Sequence, residues 1–226
     1  MAGTRRVQAS KRRTPLSRER VVRAALELVD REGLEALSMR RLGAELGVEA
    51  MSLYNHVRDK DDLLGAVTEL ALSRFRVPEP SGDWAEDARR AAREWRRLFL
   101  EHPSLIRLLA ERNEPLRSPA ALGPMEHALD ILARAGLTPR EAVQAFHAFG
   151  GYIFGFVMME QGIMLTGDDP VRRRAHVEMA EAVEAAHLPR LREAMPDLME
   201  CDGDEQFVFG LELLIEGLRA KAAARA

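Results

Sequence analysis

The sequence is poor in cysteine and in aromatic residues. Its 226 residues include one cysteine, Cys201, which excludes an intrachain disulfide framework and a cysteine-based metal cage and favours a reducing compartment. Aromatic residues make up 5% of the chain, while Leu, Ala, Glu and Arg are plentiful and favour helices. No stretch alternates apolar and polar residues with the period of two that a half-buried strand requires. The sequence therefore predicts an all-α protein.

Signals for export, membrane insertion and catalysis are also lacking. Residues 1–13 are basic and polar, without the apolar run of a secretory signal. The longest apolar stretch, 146–159, is shorter than the ~20 residues that a spanning helix needs. The six histidines are scattered, and neither a phosphate-binding glycine loop nor a Gly-x-Ser-x-Gly turn occurs. We therefore expect a cytoplasmic protein that is not an enzyme, holds no metal or cofactor, and does not enter a membrane.

Charge is distributed unevenly along the chain. The net charge is −3, yet residues 1–60 carry 13 Lys and Arg against 8 Asp and Glu, a net charge of +5, and the rest of the chain carries −8. A basic head on an acidic body indicates a polyanionic partner for the head alone.

Helix-capping residues and breaks indicate the organisation. Ser17 and Ser38 stand where two helices need N-caps; a short third helix follows at 49–56, and a fourth opens at 59–62. The Pro- and Gly-containing break 78–82 separates head from body. Six helices are predicted beyond it, at 83–101, 103–112, 119–135, 139–164, 170–187 and 204–222. The predicted parts are a flexible basic arm (1–14), a three-helix head (15–76) and a larger helical body (83–226).

The head contains the spacing of a helix-turn-helix. Gly43 supplies the small residue where two steeply crossed helices touch, Gly47 tolerates the turn between them, and Leu53 packs the second helix back onto the first. The residues on or beside the outer face of that second helix are Ala50, Met51, Ser52, Tyr54, Asn55 and His56. An ordinary helical hairpin has a similar turn and stays the alternative, but the basic head favours a helix that enters the DNA major groove.

Five stretches of the head carry a family pattern: 38–42, 46–48, 52–57, Lys60 and 63–64. They closely resemble the TetR family of transcriptional regulators, and segments 137–155 and 204–219 resemble its tetracycline-repressor-like C-terminal domain. The resemblance implies a DNA-binding head joined to a ligand-binding and dimerisation domain. It implies a repressor that binds a palindromic operator in double-stranded DNA as a homodimer and is released by a small, largely hydrophobic effector. A ligand-dependent activator and a dimerising scaffold without DNA binding are the alternatives.

The resemblance also implies roles for eight residues of the head. Phenol, imidazole and ammonium groups suit phosphate contacts, a guanidinium suits a guanine edge, short polar side chains suit other base edges, and apolar ones suit a thymine methyl. The candidates for phosphate contacts are Tyr54, His56 and Lys60, and the candidate for a guanine edge is Arg40. Ser52 and Asn55 are candidates for other base edges, and Ala50 and Met51 for a thymine methyl. Partial burial of Tyr54 and a solvated Arg40 are the alternatives. For the arm we expect a solubilising tail rather than a minor-groove contact.

Two helical segments of the body, 143–159 and 207–218, are apolar nearly all round and need burial on every side. Six helices cannot easily enclose both segments, so we expect each to pack against a second copy of the chain. Enclosure of one core helix in a monomer is the alternative. Four glycines would permit close helix approach: Gly151, Gly155, Gly210 and Gly217. Such a dimer would place two recognition helices about 34–36 Å apart, one turn of DNA.

Regulators of this family usually carry an effector pocket in the body. Candidate lining residues, suited to a flexible hydrophobic ligand, are Trp95, Leu109, Met125, Phe146, His147 and Gly150, with Phe156 or Met159 from a second subunit. Plain core packing is the alternative for each, and His147 is either a ligand anchor or a hydrogen-bonded core histidine. Leu109, Ala91 and Met159 stand where the tetracycline repressor has metal and drug ligands, so we expect a different ligand and no Mg²⁺.

Overall fold

The computed structural model describes residues 15–111, 115–162, 170–199 and 202–223. These ranges contain eleven α-helices, one 3-10 turn and no strand, which confirms the all-α prediction. In chain order the elements are α1 (Arg18–Glu32), the 3-10 turn (Leu34–Ala36), α2 (Met39–Leu46), α3 (Ala50–Leu53), α4 (Lys60–Leu72), α5 (Trp84–Glu101), α6 (Leu105–Glu111), α7 (Pro119–Arg134), α8 (Pro139–Gln161), α9 (Pro170–Ala185), α10 (Pro189–Met199) and α11 (Gly203–Ala223).

The chain divides into two compact units between Val67 and Thr68, inside α4. The first unit contains α1 to α3 and the beginning of α4, and the second contains the end of α4 and α5 to α11. The predicted arm, 1–14, lies outside the described residues. The predicted domain limits, 15–76 and 83–226, stay a prediction, because compactness alone does not define which segments bind DNA or a ligand.

The capping residues of the first unit act as their positions predict. Ser17 Oγ accepts a hydrogen bond from the Arg20 amide at 3.2 Å, and Ser38 Oγ accepts one from the Arg41 amide at 3.1 Å. Gly47 ends α2 in the left-handed conformation, with φ 68° and ψ 34°, which a residue with a Cβ atom rarely adopts. Local chemistry therefore defines where α1 and α2 begin and where α2 ends.

Helices α2 and α3 approach each other most closely at Gly43. A Cβ atom on this residue would lie 2.9 Å from the Val48 carbonyl oxygen and 3.2 Å from the Ala50 amide nitrogen, so a larger residue would collide with backbone. Leu42 of α2 and Leu53 of α3 are fully buried. Because α3 is only four residues long, burial of Leu53 leaves Met51 exposed, while Ala50 and Ser52 are half-buried.

Helix α5 is central to the second unit, since it packs against α7, α8 and α11, and α8 also packs against α7 and α11. Arg89 of α5 donates two hydrogen bonds to Glu212 of α11, at 2.6 and 2.7 Å. Arg96 of α5 donates to Glu160 of α8 at 2.9 Å, and this carboxylate is largely buried. Phe99 of α5 is fully buried. Apolar packing and charged pairs thus join the three long helices.

The structure differs from the predicted helices in two places. Helix α10 (Pro189–Met199) lies in a stretch for which no helix was predicted, and it forms although Pro196 lies in its interior, where proline normally interrupts the hydrogen-bond ladder. Its start at Pro189 is favourable, since proline suits the first helical position. The third predicted helix, 49–56, is shorter: α3 ends at Leu53, and a hydrogen-bonded turn continues to His56.

One helix in the described part of the chain, α8, is long and apolar enough by length and composition to cross a membrane. It exceeds the apolar stretch 146–159 because polar residues extend it at the N-terminal end. The core helices of many other proteins pass the same test, so the observation is weak evidence for a membrane. Only 28% of its apolar window is buried within the chain, which leaves α8 with a face that another surface can cover.

The Gly43→Ala substitution is expected to lower the free energy of unfolding of the first unit by about 1–3 kcal/mol, because the new methyl group meets backbone atoms that cannot move aside. Chemical denaturation followed by circular dichroism measures the change. Gly65→Ala in α4 is the matched control, since no atom lies within 4 Å of its Cβ position and alanine favours a helix. Equal stability of the two variants would contradict a close α2–α3 crossing.

Candidate DNA-binding surface and ligand cavity

The segment formed by α3 and the turn after it carries the predicted base- and phosphate-contacting side chains. Met51 is 73% exposed and Tyr54 44% exposed, and Asn55 is also exposed. The exposure of Tyr54 favours a surface role over the alternative of partial burial in the core. The half-buried members of the set are Ala50, Ser52 and His56.

Two neighbouring arginines at the start of α2 have different surroundings. Arg41 donates hydrogen bonds to Glu32 of α1 at 2.6 Å and to Glu45 at 2.9 Å. These bonds raise the pKa of Arg41 and lower the pKa of Glu32. Arg40 is exposed and forms no hydrogen bond or ion pair with any described residue. Arg41 therefore joins α2 to α1, and the Arg40 guanidinium is available to a ligand.

Lys60 is exposed and begins α4, four residues after His56. Asp59, just before it, accepts a hydrogen bond from the Asp62 amide at 2.8 Å and caps the helix. All eight predicted DNA-contacting residues thus belong to the first unit, in the first turn of α2, in segment 50–56 and at the start of α4. Their contacts with DNA stay a prediction.

The second unit contains an apolar cavity of about 90 Å³ between α5, α7 and α8. Small side chains line part of it, namely Ala88, Ala91, Ala92, Ala128 and Gly150. Aromatic rings line much of the rest, namely Trp95, Phe99, Phe146, Phe149 and Phe154. Among the described residues that line the cavity, Trp95 alone carries a polar side-chain atom, its indole nitrogen. The cavity is therefore suited to an apolar ligand with few hydrogen-bonding groups.

Three of the six predicted pocket residues line this cavity, namely Trp95, Phe146 and Gly150. Leu109 is half-buried on α6 and Met125 is 36% exposed on α7, and neither lines it. His147 is exposed on α8, so it is not a core histidine within a single chain. A ligand-binding role for these three residues stays a prediction.

The sequence contained a signal for the cavity that the prediction missed. Ala88, Ala91 and Ala92 precede Trp95 and Phe99 at spacings of three and four residues, which place all five on one face of α5. A buried helix face built from alanines on one half and large rings on the other leaves unfilled volume beside the alanines. Attention to small residues as well as large ones would have found this wall.

The ring of Trp95 contacts a residue outside the cavity as well as another lining residue. Its centroid lies 4.8 Å from that of Phe75, three residues after α4, and 5.4 Å from that of Phe99. Phe75 is largely buried. Trp95 therefore links the cavity to the chain segment that leaves α4.

No three His, Cys, Asp or Glu side chains lie close enough to hold a metal ion in the part of the chain that the structure describes. The expectation of a metal-free and cofactor-free protein stays a prediction.

Helices α8 and α11 leave an apolar face uncovered. Its largest side chains are between 50% and 65% exposed and are Met158, Met159, Phe209 and Leu213. The Cβ positions of Gly151, Gly155 and Gly217 also meet no atom within 4 Å. Gly210 differs, because the Tyr152 hydroxyl of the same chain lies 2.5 Å from its Cβ position. The close approach at Gly210 is therefore made within one chain, and the other three glycines remain open to a partner.

Comparisons with known proteins agree for both units. Residues 21–67 match the tetR family of bacterial regulatory proteins, and residues 77–222 match the tetracyclin repressor-like C-terminal domain. The HTH-type transcriptional repressor DrrR1 of Streptomyces coeruleorubidus is 35% identical over 93% of this chain and 80% of its own length. Apo ActR from Streptomyces coelicolor has a TM-score of 0.79 at 33% identity, covering 94% of this chain and 99% of ActR. ActR in complex with actinorhodin has a TM-score of 0.77 at the same identity and coverage.

A histidine next to the cavity wall has an unusual environment. The Nε2 atom of His127, adjacent to the lining residue Ala128, is buried and accepts no hydrogen bond from any described residue. Burial lowers the pKa of His127, while Asp130 and Asp87 raise it and Arg134 lowers it further. The folded protein thus binds fewer protons here than the unfolded chain. This site therefore loses stability as the pH falls through the usual histidine range, near 6.5.

We expect the wild-type protein to lose more stability between about pH 7 and pH 5 than the His127→Leu variant, which has no group to protonate at this position. Thermal denaturation at the two pH values measures the difference. The control is His187→Asn, which removes an exposed histidine and should keep the pH dependence of the wild type. An unchanged pH dependence in His127→Leu would contradict the assignment.

Proposed function

We propose that this chain, which belongs to the tetR family of bacterial regulatory proteins, is a transcriptional repressor that binds a palindromic operator as a homodimer. It leaves the operator when a small apolar effector occupies the cavity. The observation that carries DNA binding is the exposed side of α3 together with the unpaired Arg40. The proposed role requires no catalysis, metal or cofactor and is exercised in the cytoplasm.

The residues of the proposed DNA-binding surface fall into two groups, those that contact phosphates and those that contact bases. Tyr54, His56 and Lys60 can donate to phosphate oxygens and so set the position of the head on the duplex without reading sequence. Arg40 can bond two acceptors on a guanine edge in the major groove. Ala50, Met51, Ser52 and Asn55 complete the base-facing set. On this proposal, segment 15–76 acts as the DNA-binding domain and segment 83–226 as the dimerisation and ligand-binding domain.

The uncovered face of α8 and α11 supports a homodimer. A single chain leaves Met158, Met159, Phe209 and Leu213 largely exposed, and contiguous exposed apolar side chains mark association surfaces. Packing the two helices of one chain against those of a second copy about a two-fold axis forms a four-helix bundle that covers them. The same axis pairs two α3 helices, which is why the expected operator is a palindrome with half-sites about one turn apart.

The cavity supports release by an apolar effector. The described lining residues form aromatic and alanine walls with one polar side-chain atom, at Trp95, so recognition depends on shape and apolar burial. ActR, similar over nearly the whole chain, has been crystallised with actinorhodin, which supports a small molecule as the signal. The effector of this chain is not transferred from ActR.

Helix α4 is the element through which we expect the effector to act. Its second half is held in the second unit by Glu69, whose carboxylate accepts hydrogen bonds from the Arg117 and Ser118 amides at 2.8 and 3.2 Å. Just beyond the helix, Phe75 lies against the cavity residue Trp95. An effector that displaces the Trp95 ring therefore acts on the end of a helix whose first residues belong to the DNA-binding unit.

DNA binding is tested by incubating the full chain with fragmented DNA of the source organism and sequencing the bound fraction. We expect enrichment of a palindrome with half-sites about one turn apart. Arg40→Ala is expected to weaken binding to that palindrome by about 1–3 kcal/mol, the discrimination that a bidentate base contact provides, and to change binding to mixed-sequence DNA less. Fluorescence anisotropy with both labelled duplexes measures the two affinities.

Arg93→Ala is the matched control, because it removes the same charge from an exposed position of α5 in the second unit. It should leave the affinity for the palindrome nearly unchanged. If a folded dimer enriches no sequence, with or without cell extract added as a source of ligand, DNA binding is excluded and the scaffold alternative gains support.

Effector binding is tested with Gly150→Leu, which should fill the cavity because no atom lies within 4 Å of the Gly150 Cβ position. A library of apolar small molecules is first screened for release of the labelled palindrome from the wild type. Gly150→Leu should bind the palindrome normally but need at least about tenfold more of the releasing compound. Gly123→Leu, which is equally unobstructed at Cβ and does not line the cavity, is the control. Equal sensitivity of all three proteins would place the effector elsewhere.

A further inference from the structure

The turn between α3 and α4 is closed by one carboxylate. Asp62 accepts two hydrogen bonds from the guanidinium of Arg18, at 2.9 and 2.7 Å, and one from the Arg58 amide at 2.9 Å. The same guanidinium donates to the carbonyl oxygen of His56 at 2.9 Å. A side chain from the first residue of α1 thus bonds both ends of segment 56–62.

Asp62 is well suited to a permanent ion pair. Its side chain is 13% exposed, and the hydrogen bonds from Arg18, together with the Arg58 amide, lower its pKa to about 2. The carboxylate is therefore ionised at any physiological pH. Its neighbour Asp61 is exposed and forms no hydrogen bond or ion pair with a described residue. Two adjacent acids thus have equal charge but different roles.

We propose that Arg18 and Asp62 are positioning residues that hold His56 and Lys60 in the geometry needed to contact DNA phosphates. The inference rests on the proposed function, since it assigns the ion pair to DNA binding. His56 accepts a hydrogen bond through its carbonyl oxygen. Lys60 lies in the short segment between Arg58, whose amide donates to the Asp62 carboxylate, and Asp62, whose own amide donates to Asp59. Neither positioning residue needs to touch DNA.

Asp62 has two opposite effects on DNA binding, one through its hydrogen bonds and one through its charge. An acid on the unit that binds a polyanion opposes binding through its charge. A partly exposed ion pair also contributes little to the free energy of unfolding in general. What a bidentate Arg–carboxylate pair does supply is a defined orientation. We therefore expect its effect on the position of the turn to outweigh the repulsion between Asp62 and phosphate.

The test compares variants with opposite changes in charge. Asp62→Asn removes a negative charge and Arg18→Gln removes a positive one, yet both should weaken binding to the enriched palindrome by about tenfold. Arg18→Lys keeps the charge without the bidentate geometry and should also weaken it. Asp61→Asn is the matched control, because it makes the same charge change as Asp62→Asn without removing a hydrogen bond. It should bind as tightly as the wild type or more tightly.

A second measurement separates positioning from a structural role. The slope of log affinity against log salt concentration should become shallower in Asp62→Asn, by about one for each phosphate that a subunit no longer neutralises. Reduced folding alone lowers the active fraction and leaves that slope unchanged, and circular dichroism at the binding temperature reports the folded fraction.

The outcomes distinguish the inference from the function on which it rests. No enriched palindrome for the wild type would overturn the proposed function. Wild-type binding with tighter binding by Asp62→Asn would overturn the inference and show that simple charge repulsion dominates. Weaker binding by Arg18→Gln alone, with Arg18→Lys like the wild type, would also overturn it, because Arg18 would then act as a direct cationic contact. If Asp62→Asn is unfolded, the comparison of Arg18→Gln with Arg18→Lys decides.

Discussion

The contact between α2 and α3 at Gly43 is the constraint on which the proposed DNA-binding surface depends. Backbone atoms of Val48 and Ala50 lie too close to residue 43 for any side chain to fit, and this limits how α3 can leave α2. A helix of four residues cannot maintain its own shape. Burial of Leu53 therefore orients it, and the exposure of Met51 follows from packing rather than from helix propensity.

In the second unit, small residues leave empty space, whereas Gly43 in the first unit permits close packing. Alanines on α5 and Gly150 on α8 leave space beside the aromatic rings, whereas protein interiors are normally close-packed. Unfilled volume lowers the stability of a folded protein. A ligand that fills the space and binds only the folded state restores stability in proportion to its concentration and affinity. On the proposed function, the cavity makes the second unit responsive to a small apolar molecule, and Trp95 carries the one polar side-chain atom among the described lining residues.

Features that depend on near neighbours could be predicted from the sequence, and features that depend on distant ones could not. The caps at Ser17 and Ser38 and the turn at Gly47 involve residues within a few positions, so local chemistry predicted them correctly. Half of the expected pocket residues missed the cavity, because its walls come from three helices whose facing sides no local pattern specifies. His147 shows the same limit: the apolar run around it left a core position open, but its side of α8 is exposed in a single chain.

The exposed face of α8 and α11 connects the stability of the protein to its use of DNA. Phe209 and Leu213 lie on α11, far along the chain from α3, and one chain alone leaves both largely exposed, as association surfaces are. One chain alone also presents one α3, which on the proposed function reads one half-site. In the proposed homodimer, association of two chains both covers the exposed face and pairs the two α3 helices. Substitutions on this face would therefore weaken operator binding without altering any residue that contacts DNA, because a monomer loses the paired attachment on which specific affinity depends.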